Sequence, residues 1–438
     1  MSAKHLVIGW DGADLELVLT LGKARLPHLF GLMERGVYAH QRSLLPPATL
    51  PNWTSFLTAL NPGQHGVFDF TTRHGYGVRF SAGTVREAPT WIARLDRLGY
   101  ACASVGFPAT WPPERLDHGI FISGWDAPVS FEADASFVWP RSLYAQLTRR
   151  FGPLRFDEVD QFRADQPDWH ERLGARLSDK IARRAELACY LMALRRWDVF
   201  AFYFGESDTA SHYLYSLYDE ASPRRPAQVS AAQRAGLPAV YEALDRALGR
   251  MLDAAGPDAE VTLLSDHGSG GSSDKVLFLN RALAQLGFLR FKSARPRAPS
   301  ALKAAALSRL SPRLRDRLFR ACSARLPSWL ESQARFGAID MARTQAFSDE
   351  LNYFPAVYLN LRGREPAGCV DPGDARRLIT ELRAALSSLR DPDTQRPLVA
   401  EVMEREQLFE GPHLTRAPDL LLNLRLDRGY SYNLMPSP

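Results

Sequence analysis

Two aspartate–histidine pairs in this chain have spacings that suit a cation: Asp266 beside His267, and Asp208 four residues before His212. A carboxylate and an imidazole delivered together on a turn bounded by Gly268 and Gly270 can approach a metal closely, although the same dipeptide also suits a turn with a satisfied histidine. On a helical turn Asp208 and His212 share a face. The alternative there is an aspartate cap, with His212 in an aromatic patch beside Tyr213 and Tyr215. Asp11 follows an apolar run and precedes Gly12, where a carboxylate is costly unless hydrogen-bonded or bound to a cation; the alternative is a simple turn cap. Asp14, one turn later, reads as a cap or a solvent-facing residue. In Pro46-Pro47-Ala48-Thr49-Leu50-Pro51-Asn52-Trp53, Thr49 stands just ahead of a helix expected to begin at Pro51, and the start of such a helix favours an anion. Its hydroxyl is either an N-cap or a nucleophile whose pKa a metal lowers. Asn52, on the first turn, has an amide that could donate to a non-bridging phosphate oxygen.

These residues need strands and helices to bring them together. Lys4 to Trp10 reads as a short buried strand that ends on Asp11 and Gly12. Three later segments repeat that design: Tyr100 to Gly106, Trp197 to Phe204 leading into Gly205-Glu206-Ser207-Asp208, and Glu260 to Leu264 leading into Ser265-Asp266-His267-Gly268. Helical stretches are expected between them at Pro51 to Leu60, Thr90 to Leu98, Trp169 to Arg196 and Leu237 to Ala254. Such alternation predicts an α/β fold with a doubly wound, mainly parallel sheet flanked by helices, and ligands collect outside the carboxyl ends of its strands. Further on, Ala356 to Asn360 reads as a strand, Asp374 to Leu389 as a helix and Asp419 to Leu422 as a last strand.

The chain has 438 residues, 45% of them hydrophobic and 24% charged, and reads as a globular protein with one large catalytic domain carrying insertions, or two domains. Its four cysteines, Cys102, Cys189, Cys322 and Cys369, are widely separated and form no C-x-x-C pair, so neither a thiolate zinc site nor a disulfide framework is suggested and a reducing compartment fits best. No leader precedes Asp11 and no apolar run approaches membrane-spanning length, so a cytoplasmic location is expected. The net charge of +5 is local: residues 291–336 hold eleven Lys or Arg against Asp316 and Glu331. Leu307, Leu310, Leu314 and Leu318 recur there at helical spacing, which predicts a basic helical insertion or lid at 291–336 between catalytic segments 1–290 and 337–438. Its aromatics, Phe291, Phe319, Trp329 and Phe336, form no stacking series, so no nucleic-acid partner is expected.

Five motifs stand in one order: a strand ending at Asp11, Thr-x-Pro-Asn at Thr49 to Asn52, Gly-x-His-Gly at Gly63 to Gly66, Asp-x-x-x-His at Asp208 to His212, and Ser-Asp-His-Gly at Ser265 to Gly268. In that order the chain resembles the type I phosphodiesterase and nucleotide pyrophosphatase branch of the alkaline phosphatase superfamily, from Lys4 to about Leu422. Pro108 to Pro113 and Asn360 to Gly368 also resemble a less characterised group of predicted phosphohydrolases in that superfamily. The resemblance implies an alkaline phosphatase-like fold and two divalent ions, Zn²⁺ first and Mn²⁺ as the alternative. Asp11, Thr49, Asp266 and His267 would hold one ion, and Asp208 and His212 the other together with a C-terminal histidine. Thr49 would be the nucleophile, forming a phosphothreonine on a small phosphate ester, with Asn52 steadying the phosphoryl oxygens. His65 is not a ligand in the family and is expected to be structural. The alternatives are phosphoryl transfer to an acceptor other than water and a catalytically impaired metal-binding member.

One departure from the pattern concerns that C-terminal histidine. No histidine follows Leu422, and His413 lies before that strand. Either the sequence is truncated or the second ion keeps an incomplete protein shell; truncation is the expectation, and with it a weakly active or inactive chain.

Overall fold

The computed structural model describes residues 3–80, 83–125, 133–154, 168–293, 332, 333, 335–350 and 354–437. They form two compact units, one made of Met1–Leu60 with Ala82–Gly271 and the other of Asn61–Ser81 with Ser272–Pro438. Most of the basic segment 291–336, including the four leucines at helical spacing, lies outside the described residues.

The first unit is built on a six-stranded sheet: β1 (Ala3–Trp10), β2 (Cys102–Val105), β3 (Ile120–Ile122), β4 (Val138–Trp139), β5 (Trp197–Phe204) and β6 (Glu260–Leu264). The spatial order is β4-β3-β2-β5-β1-β6, parallel except for β4 on β3. β1 therefore lies between β5 and β6, where the strand order reverses, and in such sheets that point is the usual ligand crevice. The four long or apolar strands read from the sequence are all here, and β3 and β4 are too short to show a period.

Side chains along a strand alternate between faces, and two separate cores result. Leu6, Ile8 and Trp10 with Phe200, Phe202 and Phe204 pack under helices Leu15–Arg25, Pro27–Arg35, Trp169–Ala193, Glu206–Tyr218 and Ala231–Ala255. Val199, Ala201 and Tyr203 point the other way, against Trp53, Leu57, Ile92 and Phe107. The helix Ala231–Ala255 begins six residues ahead of the expected Leu237, because Ser230 and Gln233 form a capping box that starts it; Pro238 is accommodated inside.

The second unit has its own core, with a sheet of Ala346–Phe347, Ala356–Leu359, Leu420–Leu424 and Val399–Glu404 in that order, antiparallel throughout. The segments expected at Ala356 and Asp419 as members of the alternation thus belong to a different sheet. Nor is the latter the last strand, for Ser431–Leu434 follows and pairs parallel with Ser272–Leu277. Asn360 to Gly368 knits this unit: Asn360 donates to the carbonyls of Met341 and Thr344, Arg73 forks onto Glu365 at 2.6 and 2.7 Å, and Arg364 forks onto Asp419 at 2.8 and 2.6 Å. His65 is fully buried there and accepts the Val67 amide at 3.2 Å.

Candidate metal and phosphoryl site

The carboxyl ends of β1, β5 and β6 deliver the acids and imidazoles to one place. β1 is followed directly by Asp11, whose amide donates to the Phe204 carbonyl of β5 at 2.8 Å, and Ser207 Oγ donates to the Asp11 carbonyl at 2.6 Å. β6 runs into Ser265, whose hydroxyl accepts the Ala13 amide and donates to the His267 carbonyl, so that the Asp266 turn is pinned to the Gly12 turn. Gly12 has φ +56°, and a Cβ there would lie 2.8 Å from Asp208 Oδ1 and 3.1 Å from the His267 ring. Only glycine meets both demands.

Thr49 is the first residue of helix Thr49–Thr58, with Ala48 as its N-cap. The helix therefore begins two residues before Pro51, and the N-cap alternative for Thr49 is replaced by a hydroxyl on the first turn, turned toward the carboxylates. Thr49 Oγ1 donates to Asp11 Oδ1 at 3.4 Å and lies 3.4 Å from His267 Nε2. Asp14, by contrast, caps helix Leu15–Arg25 through a 2.9 Å bond from the Leu17 amide.

His267 Nε2 is the centre of the cluster, at 3.4 Å from each of Asp11 Oδ1, Asp266 Oδ2 and Thr49 Oγ1. Its other nitrogen faces the Gly268 carbonyl at 2.8 Å, which turns Nε2 inward. Asp208 joins from helix Glu206–Tyr218: one donor atom each from Asp11, Asp208 and His267 lie within 4.8 Å of one another. His212 Nε2 is 3.4 Å from Asp208 Oδ1, and its side chain is about half exposed, the most accessible of the set. His413 belongs to the other unit.

Charge points the same way. Burial, and then the neighbouring Asp208, push the Asp11 carboxyl up to about 6. Burial and Asp11 push Asp266 well above the carboxylate range, and Asp266 Oδ2, buried beside His267, accepts no hydrogen bond. Burial is the largest influence on Asp208 and raises it, but the hydrogen bond from His212 and the charges of His212 and His267 together outweigh it and the net shift is downward; the same bond raises His212. Three converging carboxylates and two imidazoles leave a negative excess with an unused oxygen. Carboxylate oxygens and imidazole nitrogens are donors that could hold a divalent cation there. Asn52 is likewise buried, and neither atom of its amide has a hydrogen-bond partner.

Two residues absent from the sequence-based set complete the site. Tyr203 OH and Trp53 Nε1 both donate to Asp11 Oδ2, the latter at 3.2 Å. Burial and the Asp11 charge hold the Tyr203 phenol well above its ordinary value, so it stays a donor. Alternation along β5 was the available signal, since it puts Tyr203 on the face opposite Phe202 and Phe204.

The profile of the type I phosphodiesterase / nucleotide pyrophosphatase family matches residues 5–437. No curated protein matches the sequence. Among solved structures, a phosphonoacetate hydrolase from Sinorhizobium meliloti 1021 in complex with phosphonoformate is similar over 99% of this chain and 83% of that chain, with a TM-score of 0.58 and 17% identity. Murine ectonucleotide pyrophosphatase / phosphodiesterase 5 is similar over 99% of this chain and 81% of that chain, with a TM-score of 0.48 and 13% identity. The likeness to the hydrolase is one of fold, and the mainly parallel sheet with its flanking helices is alkaline phosphatase-like.

Proposed function

Because the chain belongs to the type I phosphodiesterase / nucleotide pyrophosphatase family and is a hydrolase of phosphate ester bonds, we propose that it cleaves a small phosphodiester through a phosphothreonine at Thr49. The observation that carries this reading is the Thr49 hydroxyl, on the first turn of a buried helix and 3.4 Å from both Asp11 Oδ1 and His267 Nε2. Two divalent ions, Zn²⁺ or Mn²⁺, would be held by Asp11, Thr49, Asp266 and His267 and by Asp208 and His212. When bound they supply charge that favours the ionised nucleophile and offsets negative charge on the phosphoryl group.

The chain's own groups do the rest. Thr49 Oγ1 forms the bond to phosphorus as the ester oxygen leaves, and water then cleaves the phosphothreonine. The first amides of the helix have no partner within it, and Pro51 contributes none, so Thr49 N–H is free to meet an equatorial oxygen. Asn52 is the neighbouring side-chain donor.

The test is a panel of bis-aryl and mono-aryl phosphates with wild type and Thr49→Ala. Diester hydrolysis should fall by about 10³-fold or more in the variant, on the scale of nucleophile deletions; wild-type turnover in Thr49→Ala would sink the assignment. A cytoplasmic location is proposed as well, supported by Cys102, Cys189 and Cys369 being free thiols. Recovery of the protein from an extracellular fraction would overturn it. Among the described residues no helix is long and apolar enough to cross a membrane.

A further inference from the structure

We propose that Tyr203 and Trp53 are positioning residues that restrict Asp11 to a single ligand oxygen. This rests on the reading that Asp11 holds a metal ion. Buried tyrosines and tryptophans usually send their polar atom to whatever backbone carbonyl is near. Here both donors, from different elements, meet on one oxygen of one carboxylate: Tyr203 OH and Trp53 Nε1 donate to Asp11 Oδ2. The other oxygen, Oδ1, is left facing Thr49 Oγ1 and His267 Nε2. Asp11, Trp53 and Tyr203 are all at most 3% exposed, so solvent does not compete for these bonds.

The rings are held as well as placed. Trp53 and Tyr203 meet edge to face at 5.4 Å, and Phe107 packs against both at 5.3 and 5.7 Å. The backbone beside each ring is cleared by a glycine. A Cβ on Gly9 would lie 2.5 Å from the Trp53 ring, and one on Gly205 would lie 2.8 Å from the Tyr203 hydroxyl oxygen. Both glycines have ordinary backbone angles, so their role is to make room for the two donors.

A carboxylate with one oxygen occupied serves as a one-atom ligand, which suits a four-coordinate ion. Freed, it offers two oxygens and favours larger, oxygen-rich coordination. The pair thus sets both the affinity and the coordination number of the ion at Asp11. Partners that orient a metal ligand typically change affinity by about 10–100-fold when removed.

The experiment uses the full chain stripped of metal, as wild type, Tyr203→Phe and Trp53→Phe. Tyr190→Phe, which loses only a hydroxyl contact with Gln146 on the protein's outside, serves as the control. Zn²⁺ affinity is measured by calorimetry and coordination by the visible absorption of the Co²⁺-loaded protein, intense for four-coordinate ions and weak for six-coordinate ones. Tyr203→Phe is expected to weaken Zn²⁺ binding about 10–100-fold and to diminish the Co²⁺ band, while Tyr190→Phe matches wild type. A folded Tyr203→Phe with wild-type Zn²⁺ affinity and Co²⁺ spectrum overturns the proposal. If that variant does not fold, Trp53→Phe is held to the same two readouts. A wild type that binds neither ion overturns the functional reading itself, a result distinct from a variant that matches a metal-binding wild type.

Discussion

Asn52 carries the least satisfied amide of the site. Its side chain is buried within one turn of Thr49, and neither of its polar atoms is hydrogen-bonded. Leaving such a group unpaired costs about 1–3 kcal/mol, a cost that substrate oxygens would relieve. Asn52→Ala should therefore lower kcat by about 10²–10³-fold while leaving the fold intact, the loss seen when one oxyanion donor is removed. Steady-state kinetics on a bis-aryl phosphate decide it, and an unchanged kcat would remove Asn52 from the reaction. In the second unit, Asp69 makes a prediction about pH. Burial, and then the charge of Asp349, push its carboxyl up to about 7 from an ordinary 3.8. A raised carboxyl favours the folded state fully below pH 3.8, and that contribution is lost as pH rises through about 7. The loss is about 4 kcal/mol at 1.36 kcal/mol per unit. Asp69→Asn should gain stability relative to wild type between about pH 4 and pH 7 in urea titrations, and parallel pH profiles for the two proteins would refute this.

At the scale of elements, the site depends on how three strands end. β1 stops at Trp10, just before Asp11 and a Gly12 that takes φ +56°, and Asp14 then starts the helix Leu15–Arg25. Asp14→Ala should cost about 1 kcal/mol through the lost cap and lower Tm by roughly 2–4 °C for a unit of this size. Hydrolysis should stay within about twofold of wild type. A much larger loss of activity at unchanged stability would make Asp14 a participant rather than a cap. Helix Glu206–Tyr218 shows what spacing can and cannot say. The four-residue interval put Asp208 and His212 on one face, as the 3.4 Å contact between them reflects. That the face turns toward Asp11 follows from β5 lying beside β1, which no local pattern encodes.

For the whole molecule, a cation that binds only the folded chain adds stability by mass action, about 2.7 kcal/mol at a hundred times its Kd. Thermal unfolding should rise in Zn²⁺ or Mn²⁺ and fall in chelator, and the rise should be lost in Asp266→Asn. A melting curve indifferent to both ion and chelator would count against the metal assignment. The second unit has a different anchor. Arg364 and Asp419 form a bidentate pair, with Asp419 almost fully buried and also accepting the Leu359 amide at 2.7 Å. Arg364→Ala removes that fork but leaves Asp419 with Arg405 Nη1 at 3.1 Å, so it should cost about 1–3 kcal/mol, measurable by urea unfolding; an unchanged stability would show the fork to be expendable.

Much of this was open to a reader of residues alone. Apolar runs ending in Asp-Gly, Gly-Glu-Ser-Asp and Ser-Asp-His-Gly mark β1, β5 and β6 because a parallel strand buried on both faces needs a continuous apolar stretch, and its polar terminus is the exception that shows. The sequence by itself therefore determined the parallel sheet and named the acids and imidazoles at its rim. It was blind where the signal is short or shared. β3 and β4 have three and two residues, and Ala356–Leu359 and Leu420–Leu424 look like any buried strand until their antiparallel partners are known. The tertiary structure alone decided that His267 Nε2 stands 3.4 Å from three oxygens contributed by three elements. It alone turned Tyr203 and Trp53 onto one oxygen of Asp11, because hydrogen bonds between residues 42 and 192 positions apart are set by strand order and packing, not by neighbours in the chain.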